Sequence, residues 1–143
     1  MYRKRAGKIE FLLVHPGGPF WRNKDAGAWT IPKGELAPSE DPLACAVREF
    51  KEELGIEAHG PFTELKPITQ KGGKLVHAWA FEGDCAPEKI VSNSFEMEWP
   101  PRSGKFQKFP EVDRAGWFDF ESATEKINPA QIDFLKELQQ RIT

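Results

Sequence analysis

The stretch from Asp41 to Gly55 constrains the fold more tightly than any other part of this chain. Leu43, Val47, Phe50 and Leu54 recur at i, i+4, i+7 and i+11, which places them in one narrow stripe of a helix. The ends carry matching signals. Asp41 can cap the first turn, and Pro42 stands at the first helical position, where its missing amide costs nothing. Gly55 is suited to the left-handed conformation that ends a helix. A helix with one apolar stripe must bury it against another layer, and the remaining sequence supplies strands for that layer.

Residues 8–15, KIEFLLVH, read as a buried strand ended by the cluster Pro16-Gly17-Gly18-Pro19. Residues 28–31 suggest a second short strand, stopped by Pro32, after which Lys33-Gly34 opens a loop. Residues 65–70 and 74–82 flank Lys71-Gly72-Gly73, so a hairpin with a central second arm is expected. Phe95, Met97 and Trp99 alternate with Glu96 and Glu98, giving a strand with one apolar and one acidic face. Residues 102–110 read as a mobile, locally basic loop, and Trp117 to Phe120 as a last strand. Over 129–141 the spacing of Ile132, Leu135 and Leu138 predicts a closing amphipathic helix.

No repeat or linker divides the 143 residues, so a single domain spanning 1–143 is expected. The 20 Lys and Arg against 22 Asp and Glu give a net charge of −2, which argues against a dedicated DNA-binding surface. Cys45 and Cys85 form no CxxC, and His15, His59 and His77 are scattered, so neither a zinc site nor a disulfide framework is visible. Arg3, Lys4, Arg5 and Lys8 precede an apolar run, but Phe11 to Val14 is too short for an export signal or a membrane span. The expected setting is the cytoplasm, with no membrane partner.

Glu49, Glu52 and Glu53 stand at i, i+3 and i+4 on the helix, within about one third of its circumference and away from the apolar stripe. Three converging carboxylates repel one another, and a divalent Mg2+ or Mn2+ is the economical counter-charge for oxygen ligands without His or Cys. Taken alone, the same residues also fit a solvated helix face.

The flanking residues decide between these readings. Residues 34–56, GELAPSEDPLACAVREFKEELGI, fit the pattern G-x5-E-x7-R-E-U-x-E-E-x-G-U, with U a bulky apolar residue. Gly34, Glu40, Arg48, Glu49, Phe50, Glu52, Glu53, Gly55 and Ile56 fill every specified position, and the chain therefore resembles the Nudix hydrolase family. The resemblance implies an α/β/α sandwich with a mixed central sheet and hydrolysis of a nucleoside diphosphate linked to another group. It implies that Glu49, Glu52 and Glu53 bind metal, with the carbonyl of Lys33 as a further ligand, and that Arg48 and Glu40 are a supporting pair in the catalytic machinery. The base that takes the proton of the attacking water is open among Glu52, Glu53, Glu111 and Glu98, and Glu111 is a further candidate metal ligand.

Substrate selection is less sharply written. The Pro-Lys-Gly entry around Lys33 and Gly34 is similar to that of Nudix enzymes acting on dinucleoside polyphosphates, and Arg102, Lys105 and Lys108 could meet a phosphate chain. Trp21, Phe95, Trp99, Phe106 and Phe109 are the candidates for stacking on a base. Trp79, Trp117 and Phe118 read as core, as does His77, while His15 reads as a turn-flanking residue and Cys45 as packing. The resulting expectation is a Mg2+- or Mn2+-dependent pyrophosphohydrolase for small-molecule nucleotides, diadenosine polyphosphates ahead of nucleoside triphosphates. A nucleotide sensor without turnover and an RNA-cap or RNA-end hydrolase are the alternatives, and the sequence leaves room for a homodimer.

Overall fold

Strand β2 (Lys8–Pro16) is the axis about which the other elements are layered. Successive side chains of a strand leave on opposite faces, and here both faces are covered. Ile9, Phe11 and Leu13 enter one buried cluster with Ala123, Ile127, Phe134, Leu135 and Leu138. Leu12 and Val14 enter a second, with Phe50, Leu54, Phe81 and Val112. A strand buried on both sides carries an unbroken apolar run, which is why residues 8–15 show no alternation.

The computed structural model describes residues 1–33, 39–70 and 72–142. Gly34, and Lys71 of the expected turn, lie outside the described residues. Strands β1 (Tyr2–Arg5) and β9 (Val112–Asp119) flank β2 antiparallel, in the order β1-β2-β9, with Tyr2 opposite Phe11 and Trp117 opposite Leu12. Helix α1 (Pro42–Leu54) contributes Phe50 and Leu54 to one cluster, while α2 (Phe120–Lys126) and α3 (Ile132–Ile142) contribute to the other. The result is an α/β fold with helices on both sides of β2. The named ladders are antiparallel, and parallel pairing enters through the bridges Tyr2↔Glu82 and Trp29↔Ile127.

Helix α1 forms as its pattern dictates. The Asp41 side chain accepts from the Ala44 amide, and Gly55 (φ 71°) donates its own amide to the Lys51 carbonyl. A Cβ on Gly55 would stand 3.0 Å from the Val91 carbonyl oxygen, so both conformation and space select glycine there.

Elsewhere the structure corrects the sequence reading. The expected hairpin is broken into β3 (Thr63–Glu64), β4 (Ile68–Thr69), β5 (Leu75–Val76) and β6 (Trp79–Ala80), pairing as β4–β5 and β3–β6. Pro67 has no amide to offer and interrupts the first arm. The second arm is not a central strand: Leu75 and His77 are exposed, and His77 stacks on Trp79 at 6.4 Å instead of joining the core. Residues 28–31 form no strand and touch their neighbours only through isolated bridges such as Val14↔Thr30.

Strand β7 (Ser94–Glu98) appears where expected, but half of the supposed basic loop is its partner β8 (Phe106–Pro110). Glu96 stands opposite Lys108, a cross-strand charge pair that favours this pairing. The last strand begins at Val112 and not Trp117, and Phe120 already belongs to α2, whose first turn is capped by Asp119 accepting from Ser122. Before α3, Pro129–Gln131 form a single 3-10 turn. At the N-terminus Arg3 donates to Glu10 and Asp84 and lies 4.2 Å over the Trp117 ring, so the basic opening residues include a structural tie.

Candidate active site

Because Phe50 and Leu54 are turned onto the sheet, Glu49 and Glu53, one turn apart, share another face of α1. That face meets Glu111, the residue immediately before β9. Carboxylate oxygens of Glu49, Glu53 and Glu111 lie within 4.8 Å of one another. Glu53 is only 9% exposed, and one of its oxygens accepts the Lys33 amide at 3.0 Å.

The electrostatics are those of an overcharged site. Burial pushes the Glu53 carboxyl up to about 8, with the charges of Glu111 and Glu49 adding and the Lys33 amide opposing. Glu49 is also raised, first by burial and then by Glu52, against the pull of Arg48. Arg48 is the organising cation. Its Nε and Nη2 donate to the two oxygens of Glu40 at 2.8 and 2.9 Å, while Nη1 donates to Glu49 at 2.8 Å and Glu52 at 3.1 Å. This fork holds the guanidinium above its ordinary range, mainly through Glu40, and ties the residue just before the helix to its carboxylate face. Arg48 and Glu40 are thus brought together as the sequence pattern implies.

Glu52 stands beside the close carboxylate cluster, both oxygens accepting from Arg48, with 36% of its side chain exposed. Glu98 is separate as well, accepting the Arg102 amide at 2.7 Å within its hairpin. Arg102, Lys105 and Lys108 are exposed, and Gly34 lies outside the described residues.

Glu111 reaches the helix through backbone bonds that leave no trace in residue spacing. The Asn93 amide donates to the Glu52 carbonyl at 2.8 Å, the Glu111 amide to the Asn93 carbonyl at 2.8 Å, and the Gly17 amide to the Glu111 carbonyl at 2.9 Å. Gly17 packs so closely that a Cβ would lie 2.0 Å from the Pro110 carbonyl oxygen. Beside it, His15 is fully buried, with Nδ1 2.8 Å from Asp113 and Nε2 2.6 Å from the Lys24 carbonyl. His15 is therefore more than a turn-flanking residue: it fastens the segment after β2 to β9.

The donor set is all carboxylate, with no His or Cys among the clustered residues, and suits a hard divalent cation such as Mg2+ or Mn2+. A cation between Glu49, Glu53 and Glu111 would offset both the burial and the neighbouring charges that raise the Glu53 carboxyl. Helix α1 with an arginine fork, a buried glutamate and a third carboxylate just before β9 defines an acidic site on an α/β/α scaffold.

The sequence matches the NUDIX domain over residues 2–138, and the chain belongs to that family. It is 48% identical over 56 residues to a bis(5'-nucleosyl)-tetraphosphatase [asymmetrical] of Caenorhabditis elegans, a match covering 39% of this chain and 36% of that protein. The corresponding protein of Rattus norvegicus is 38% identical over 80 residues, covering 52% of this chain and 50% of its own length. The chain thus spans half or less of these curated relatives. Among solved structures, a C. elegans Ap4A hydrolase binary complex superposes with a TM-score of 0.64 at 27% identity, covering 99% of this chain and 91% of that one. No helix among the described residues is long and apolar enough to cross a membrane.

Proposed function

We propose that this chain is a divalent-metal-dependent pyrophosphohydrolase that cleaves phosphoanhydride bonds in small nucleotides, with dinucleoside polyphosphates preferred over nucleoside triphosphates. The observation that carries the reading is the convergence of Glu49, Glu53 and Glu111 within 4.8 Å. The similarity to dinucleoside tetraphosphatases and the Lys33 entry support the substrate class. The net charge of −2 favours a free nucleotide over a nucleic acid, and a cytoplasmic setting accords with this reading.

In this reading Glu49, Glu53 and Glu111 hold Mg2+ or Mn2+, with the Lys33 carbonyl as an additional ligand. When bound, such a cation offsets charge on the pyrophosphate and acidifies a water for attack on phosphorus. Glu52, outside the ligand cluster and oriented by Arg48, is the carboxylate best placed to receive that water's proton. Glu40 fixes the arginine, and the Lys33 side chain, with Arg102 and Lys105, meets the phosphate chain.

The test is a turnover screen with Mg2+ or Mn2+ over diadenosine polyphosphates, nucleoside triphosphates including oxidised ones, and capped RNA, with products identified and Glu53→Gln run alongside. Diadenosine polyphosphate cleavage lost in that variant is the expected result. Nucleotide binding without any turnover would replace the hydrolase with a sensor, and faster cleavage of capped RNA than of free nucleotides would replace the substrate.

A further inference from the structure

The pairing of β9 with β2 changes step close to where β9 begins. His15 stands opposite Arg114, yet the next residue, Pro16, stands opposite Val112, so Asp113 is an extra residue on β9 with no partner on β2. Such a β-bulge reverses which face the residues beyond it present. The packing shows the reversal. Ala115 and Trp117 lie against the cluster that holds Phe50 and Leu54 of α1, and an unbroken period of two would put Asp113 beside them. Val112 takes that place instead, 4% exposed, and Asp113 is left partly in solvent. Glu111, the next residue, is thereby delivered to Glu49 and Glu53.

The extra residue is held by a side chain that the proposed reaction does not use. His15 is fully buried, edge to face with Trp29 at 5.3 Å, and its Nδ1 lies 2.8 Å from an Asp113 carboxylate oxygen. Its Nε2 lies 2.6 Å from the Lys24 carbonyl. The Arg114 Nε comes only within 3.9 Å of the same Asp113 oxygen, and its guanidinium lies over the Trp29 ring. Pro16 has no amide to give to the ladder at this point, so the side-chain bond from His15 is what fixes Asp113 beside β2.

We propose that His15 is a positioning residue for the carboxylate cluster: by holding Asp113 out of register it fixes the bulge, and the bulge sets Glu111 against Glu49 and Glu53. This assignment rests on the reading above that those three carboxylates hold the cation. A ladder without the bulge would pair Asp113 with Pro16, turn Val112 out of the Phe50 and Leu54 cluster and draw Glu111 away from α1. The two ring nitrogens have separate tasks. Nδ1 secures the bulge, whereas Nε2 ties down the segment after β2, and only the first bears on Glu111.

That division sets the experiment, in which Mn2+ affinity is read by electron paramagnetic resonance and stability by urea unfolding. An Asn side chain places its amide donor near the position of Nδ1 and a Gln side chain near that of Nε2. Both His15→Asn and His15→Gln should lower the urea midpoint, but His15→Gln should weaken Mn2+ binding about 10- to 100-fold while His15→Asn stays within about threefold of the parent. Asp113→Ala should reproduce the loss, and Asp113→Asn, which removes the charge but keeps an acceptor oxygen, should not. In a Glu111→Gln background, Asp113→Ala should cost no further affinity, because the carboxylate it positions is already gone. Equal losses for His15→Asn and His15→Gln, a loss in Asp113→Asn as large as in Asp113→Ala, a full further loss in the Glu111→Gln background, or unchanged affinity throughout would each overturn the assignment. If His15→Gln fails to fold, the Asp113 variants decide alone. A parent that binds Mn2+ with this pattern yet cleaves no nucleotide would retain the positioning role and reject the hydrolase, and a parent that binds no Mn2+ would reject both.

Discussion

Replacing Glu53 with glutamine should make the metal-free protein more stable in alkaline solution while removing its activity. In the native state the Glu53 carboxyl is raised from 4.5 to about 8, chiefly by burial. Between those values the folded protein keeps a proton that the unfolded chain has released, so stability is full below 4.5 and falls as pH rises towards 8. At about 1.36 kcal/mol per pKa unit, the penalty is about 2 kcal/mol at pH 6 and about 5 kcal/mol at pH 9, a loss of about 3 kcal/mol across that interval. Glutamine has no proton to lose, and its amide oxygen can still accept the Lys33 amide. Urea unfolding of both proteins in EDTA at pH 6, 7.5 and 9 should therefore show their stabilities diverging by about 3 kcal/mol between the extremes. Titrating groups remote from Glu53 are common to the two and drop out of the difference, while Glu49 and Glu111, whose charges act on Glu53, shift with it. Parallel pH profiles for parent and variant would refute the claim that burial holds the Glu53 carboxyl protonated near neutral pH.

The same linkage predicts that Mg2+ or Mn2+ raises the thermal midpoint more at pH 8 than at pH 6, where a proton competes for Glu53; equal shifts in a thermal-shift assay would contradict it. Arg48→Lys cannot reproduce the two-pronged hold on Glu40 together with bonds to Glu49 and Glu52, so turnover should fall about 10- to 100-fold with the circular dichroism spectrum unchanged. Gly55→Ala meets a left-handed backbone and the Val91 carbonyl, and should lower the unfolding free energy by about 1–2 kcal/mol, read from the urea midpoint.

Helix α1 could be read from sequence because its stripe, both caps and the two carboxylates Glu49 and Glu53 depend on neighbours within a few turns. Strand β2 was legible for the opposite reason, since burial on two faces wrote one continuous apolar run. Glu111 enters the sequence reading only as one candidate ligand and base among several, because its place depends on the pairing of β9 with β2 and on amides of residues 93 and 17, none of which alters side-chain pattern. Strand β8 was read as a loop because Gln107, Lys108 and exposed Phe106 give it no hydrophobic period; the pairing with β7 supplies its order. The length of α2, seven residues from Phe120, is too short for a stripe to declare itself. Spacing groups Glu52 with Glu49 and Glu53 because it reports only which way a side chain leaves the helix. Its capture by Arg48 is a tertiary fact.

The bonds from Asn93 to Glu52, from Glu111 to Asn93 and from Gly17 to Glu111 join main chain to main chain throughout. The distance between the helix-borne and strand-borne acids is thus inherited from the polypeptide itself, and the Asn93 side chain takes no part in these bonds, whereas at position 17 any Cβ would meet the Pro110 carbonyl. Position 93 in particular should accept nearly any amino acid in a saturation library scored for activity. Proline is the exception, since it alone would delete the amide that couples the end of α1 to the strand, and a single nitrogen would then separate a functional catalyst from one whose acids no longer meet.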